Sequence, residues 1–129
     1  MTNQQIYQAL RARLNTLANK PPIAYLNQPY TPVNGTVYLA EDFLPANNEG
    51  LTVNGVAQAK TGIYQITVFY PDNQGVAAPQ ALAETIAAHF DRGTKLSGIV
   101  IDSADIEGSS TGGGWFQIPI SVVYRGYRN

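Results

Sequence analysis

At 129 residues and a net charge of −1, the chain has material for one domain and too neutral a surface for a general binder of nucleic acid or anionic membrane. Charged residues make up 13%, against a usual ~25%, so Asn, Gln, Thr and Tyr dominate a surface suited to burial in an assembly. With no cysteine, neither a disulfide framework nor a thiolate metal site is possible.

The N-terminus, MTNQQIYQAL, has neither the basic n-region nor the apolar h-region of a signal peptide. No apolar run approaches the ~20 residues of a membrane span, so a cytoplasmic origin is expected. Thr2 followed by Gln5 is a capping box, and Ile6, Leu10, Leu14 and Leu17 then recur at helical spacing, which predicts a helix ending before Lys20-Pro21-Pro22. Ile23–Asn27 reads as a short strand. Gln28–Pro32 and Asn34-Gly35 carry turn chemistry, and Asn34-Gly35-Thr36, though it fits a glycosylation sequon, reads as a turn. Thr36–Leu44 is a second strand with Val37, Leu39 and Phe43 inward.

Residues 45–61 form a connection longer than compact domains usually carry, which marks it as functional or mobile. Within it, Leu51–Val53 and Val56 flank Asn54-Gly55, a two-residue hairpin signal. The third strand, GIYQITVFYP (62–71), poses a problem. Tyr64, Ile66, Val68 and Tyr70 form one apolar face, but Ile63, Gln65, Thr67 and Phe69 form a mixed one rather than the polar face of a half-buried strand.

Pro71–Gly75 turns into a second helix with Pro79 in its first turn, a stripe of Leu82, Ile86, His89 and Phe90, and Gly93 as its C-cap. Gly98–Glu107 is a fourth strand. Gly108–Gly114 reads as a flexible link, so mobile loops are expected at 45–61 and 108–114. Trp115–Arg125 is the last strand, and it repeats the earlier problem: Phe116, Ile118, Ile120, Val122 and Tyr124 are apolar without a break, whereas Gln117, Pro119 and Ser121 make the other side mixed. Pro119 cannot donate to a ladder, which places this strand at an edge or at a bulge.

The inventory is one domain over 1–129, in the order α-β-β-β-α-β-β. It predicts an α+β two-layer sandwich of about five mainly antiparallel strands, with both helices packed on one face of the sheet. Two helices cover one face and no more.

Candidate chemistry is sparse. His89 is the only histidine, on a helix stripe beside Phe90 and Asp91, and reads as a structural or interface residue; a catalytic use would need a nucleophile and an orienting acid. Asp105 and Glu107 share a face, the minimum for an acid/base pair, but read with Asp102 as charges guarding a strand edge; Glu41-Asp42 reads the same way. The glycine link lacks the Lys-Ser/Thr ending of a phosphate loop and precedes a strand. Trp115 beside it is either a contact residue or core filling. No catalytic, metal or cofactor residue is expected. All nine acids lie between Glu41 and Glu107, while Arg11, Arg13 and Lys20 precede them and Arg125 and Arg128 follow, a pattern that a head-to-tail contact between copies would use.

The N-terminal amphipathic helix, the GIYQITVFYPDNQG strand and turn, the helix ALAETIAAHFDRGTKL and the closing WFQIPISVVYR strand together resemble the tail terminator, or tail completion, proteins of long-tailed bacteriophages (minor tail proteins). The resemblance covers most of the chain and is weakest across 45–61. It implies a non-enzymatic virion protein, assembled in the host cytoplasm, whose copies form a hexameric ring on the head-proximal end of the tail tube. That ring would stop tube polymerisation and join the head–tail connector or neck. Partners would be further copies, the tube protein and the neck protein, with no membrane and no sequence-specific nucleic acid. Interface residues expected on this basis are Arg11, Arg13, Gln65, Thr67, Asp105, Glu107, Trp115, Gln117 and Arg125. The alternatives are another neck or head-completion protein, a small hydrolase or ligand-binding domain using His89 with Asp105 or Asp91, and a glycan- or peptide-binding module displaying Trp115.

Overall fold

A computed structural model describes residues 2–46, 49–50, 58–96 and 98–127. Helix α1 (Asn3–Asn15) begins at the capping box: the Thr2 hydroxyl accepts from the Gln5 N–H at 3.1 Å, and the Gln5 side chain accepts from the Thr2 N–H at 2.8 Å. Its apolar spacing puts Ile6, Leu10 and Leu14 wholly out of water.

Strands β1 (Ile23–Ala24), β2 (Tyr38–Pro45), β3 (Glu49–Gly50) and β4 (Gln58–Pro71) precede α2 (Ala77–His89), and β5 (Lys95–Leu96), β6 (Ile99–Ile106), β7 (Ser110–Gly112) and β8 (Trp115–Tyr127) follow it. They form one sheet in the order β1-β2-β4-β8-β6-β5, with β3 added to β4 and β7 to β8. Only β1 runs parallel to its neighbour. The architecture is the expected α+β sandwich, and the strands beyond the expected five are β3, β5 and β7, two- and three-residue additions too short to show a period of their own.

Two expectations need correction. The last strand is central, between β4 and β8's other neighbour β6, and its pairing with β4 runs without a break from Ala59↔Tyr127 to Pro71↔Trp115. Pro119 is tolerated because its carbonyl accepts from the Glu107 N–H at 2.8 Å, so its nitrogen faces the β6 side, just beyond the end of β6. The β4 ladder therefore loses nothing. Gly62, in turn, is interior to β4 rather than its start. It faces the core, where a Cβ would stand 2.5 Å from the Tyr124 hydroxyl and 2.7 Å from the Leu44 carbonyl. The absence of a side chain lets the Tyr124 ring pass and stack on Phe43, centroids 5.7 Å apart.

The glycine segment is a hairpin: Gly112 pairs with Trp115, and Gly113 and Gly114 turn with φ of +60° and +85°. Positive φ at both central residues suits the right-handed twist of the flanking strands. The hairpin expected at 51–56 lies outside the described residues, which show only its flanks, β3 pairing with the start of β4.

Candidate partner interface

Period-2 alternation sorts the long strands into two unlike faces. Tyr64, Ile66 and Val68 of β4 and Ile118, Ile120, Val122 and Tyr124 of β8 are fully buried against Leu10, Leu14, Ile86 and Phe90 of the helical layer. Ile63, Gln65, Thr67, Phe69, Gln117, Pro119, Ser121 and Val123 are half-buried, shielded by neighbouring strands but by no helix. This open face is the candidate site.

Register stacks its residues into rows across the sheet. At the β7 hairpin end, Tyr38 lies opposite Phe69, and Phe69 opposite Gln117. Tyr38 is nearly buried because Phe69 stacks on it at 4.7 Å, Trp115 meets it edge-on at 5.1 Å and Tyr30 packs at 5.0 Å. Trp115 thus fills an aromatic corner of its own chain. The next row is Ala40, Thr67 and Pro119, with Glu107 beside it, and then comes the polar row Asp42, Gln65, Ser121 and Asp105. An apolar row follows, Leu44, Ile63 and Val123, ending in Ser103. The last row is Thr61, Arg125, Val100 and Lys95. Between Ile101 and Ser103 the β6 register shifts, and Asp102 at that bulge pairs with Arg125 at 3.5 Å.

Of the residues expected at an interface, Gln65, Thr67, Asp105, Glu107, Trp115, Gln117 and Arg125 are gathered on this face. Arg11 and Arg13 are not among them; both serve the helical layer. Arg13 donates from Nε to the His89 carbonyl at 2.9 Å, and His89 Nε2 lies 2.7 Å from the Arg13 carbonyl and 2.9 Å from the Thr16 hydroxyl. Since a carbonyl only accepts, Nε2 carries the proton, and His89 ties the C-terminal ends of the two helices together. Those contacts are a fastener, in which the Thr16 hydroxyl is itself held by the Arg13 carbonyl at 2.6 Å.

Glu41 overturns its reading as a solvated edge charge. It sits on the core face of β2 between Leu39 and Phe43, 5% exposed. The Tyr7 hydroxyl donates to it at 2.5 Å, Arg11 Nε at 3.2 Å and the Tyr64 hydroxyl at 3.4 Å, and Arg11 also donates to Tyr7. Arg11 lies over the Tyr7 and Tyr25 rings. Burial, then the Glu41 hydrogen bond and charge, push the Tyr7 hydroxyl up to about 12. Burial followed by Glu41 raises Tyr64, and burial alone raises Tyr124 to about 12. Burial works against the Arg11 charge, but Glu41 and Tyr7 together outweigh it and the net shift is upward. Local sequence gave one signal for this network, the position of Glu41 in phase with Leu39 and Phe43. The neutral tyrosines and a fully paired ion suit a structural tether between α1 and β2.

Open hollows lie among the described residues. A space of about 370 Å3 is bordered by Asp72, Asn73, Gly75, Val76 and Phe116, and one of about 250 Å3 by Ala9, Ala12, Arg13, Thr16 and Leu96. Among the described residues, no three His, Asp or Glu side chains converge as a metal site, and no helix is long and apolar enough to cross a membrane.

A family model described as phage tail terminator protein matches residues 5–124. No curated protein matches the chain. Among the solved structures that match, one superimposes with a TM-score of 0.73 over 100% of this chain and 97% of its own, at 24% identity, which is a likeness of fold.

Proposed function

Because the chain belongs to the phage tail terminator protein family, and is thus a structural component of a phage tail, we propose that its copies form a ring that caps the head-proximal end of the tail tube. The ring stops tube polymerisation and offers the surface to which the neck of the head joins. Its partners are other copies of itself, the tube protein and the neck protein, and its action is non-enzymatic.

The open sheet face carries this reading. The helices are both spent on the other side, and the face they leave mixes apolar groups with neutral Gln65, Thr67, Gln117 and Ser121. Such groups lose little on leaving water when a partner supplies hydrogen bonds, unlike charges. A virion subunit that must be stable alone and then buried needs this intermediate character. The deciding experiment is electron microscopy of particles assembled without this protein. Overlong tails lacking heads are expected; tails of normal length would overturn the capping role.

A further inference from the structure

The open face has an order along the strands that neither tube capping nor ring closure requires. The apolar row Leu44–Ile63–Val123 is flanked on one side by the row that ends in Asp105 and on the other by the row that contains Arg125 and Lys95. Successive rows on one face are about 6.8 Å apart, so acid and bases are nearly equidistant from the apolar row. A two-fold axis laid along that row, between two sheets facing each other, exchanges its two sides. Leu44, Ile63 and Val123 then meet their own copies, and Asp105 comes to lie between the Arg125 and Lys95 of the second molecule. A surface that is its own complement under a two-fold is the requirement for an isologous contact.

We propose that the purified protein forms a face-to-face dimer, in which a second copy of this chain covers the open sheet by aligned sheet-on-sheet packing. Three features of the face favour this occupant. Leu44 is 45% exposed on the apolar row, which gives that row area to bury. The acid and the bases are already on the two sides where the symmetry needs them, and both Asp105 and Lys95 are exposed. The three rows that the two-fold brings together, across four strands about 4.8 Å apart and with rows about 6.8 Å apart, offer about 400 Å2 per copy, or about 800 Å2 in all, the size of a weak, concentration-dependent contact. Asp102 keeps its pairing with Arg125, so that Asp102, Arg125 and Lys95 of one copy and Asp105 of the other form a four-charge cluster of zero net charge. Asp42 stays at the solvent rim, where no base faces it. The dimer shelters the face in the free protein and gives it up when the subunit meets its place in the tail. The inference stands apart from the capping role, since it concerns the chain alone.

Sedimentation of the purified full chain over a range of concentrations should show a monomer–dimer equilibrium that weakens with salt. Asp105→Lys should weaken the dimer about tenfold, and Asp105→Lys combined with Lys95→Glu should recover most of that loss. Because the native chain has no cysteine, Ile63→Cys provides a test of symmetry. A short bis-maleimide should join two copies through this residue, whereas Gln117→Cys, three rows from the axis, should not join to itself. Circular dichroism shows whether each variant is folded. A monomer at every concentration, or self-association that leaves Ile63→Cys uncoupled, overturns the proposal; tails of normal length in particles assembled without the protein would overturn only the functional reading above.

Discussion

The two faces of β4 and β8 are made from the same strands, with the same ladder between them, yet they obey different rules. On the core face every side chain from Tyr64 to Val68 and from Ile118 to Tyr124 is fully buried. On the open face their immediate neighbours are half-buried and held by nothing but adjoining strands. The buried packing therefore resides on one face, and a substitution one residue along the strand moves from that face to the open one.

The sharpest test of that contrast compares Ile120→Ala with Ile63→Ala in chemical denaturation. The core change should cost about 2–5 kcal/mol through lost burial and a residual cavity. The open-face change should cost under about 1 kcal/mol. Equal losses would erase the distinction. Glu41→Ala probes the buried carboxylate on the core side: it leaves Arg11 and the Tyr7 and Tyr64 hydroxyls without their acceptor, and about 3 kcal/mol should be lost by the same measurement. Gly62→Ala forces a methyl against the Tyr124 hydroxyl and the β2 backbone, and should cost about 1–3 kcal/mol.

Alkaline pH should also weaken the core face selectively. The Tyr7 and Tyr124 hydroxyls hold their protons more tightly folded than unfolded, with values raised from 10.0 to about 12. The folded state then binds more protons than the unfolded one over that interval, so their contribution is whole below pH 10 and lost as the pH rises from 10 to 12. Melting temperature measured across this range should hold and then fall, and Tyr7→Phe should reduce the fall. The smallest effect belongs to the helix fastener. His89→Ala removes the contacts to Arg13 and Thr16 and should cost about 1 kcal/mol in thermal unfolding, with the open face unaffected.

Local signals determined much of this molecule. The capping box placed α1 because it needs only residues three apart, and Tyr64, Ile66, Val68, Ile118, Ile120, Val122 and Tyr124 were legible as core because a strand repeats every two residues. The surplus of mixed strand face over helix could also be read, since it follows from counting elements. Tertiary structure alone decided the rest. Gln58–Thr61 has no apolar alternation and joins β4 only because β3 and β8 pair with it. Pro119 could sit in a central strand only because β6 ends where the missing N–H would have been needed. Glu41 is buried because residues about 30 positions earlier in the chain, Tyr7 and Arg11, arrive over β2 to pair with it. Periodicity and capping are contained in a few consecutive residues; the cost of a buried charge or an absent donor is set by whatever the fold brings beside it.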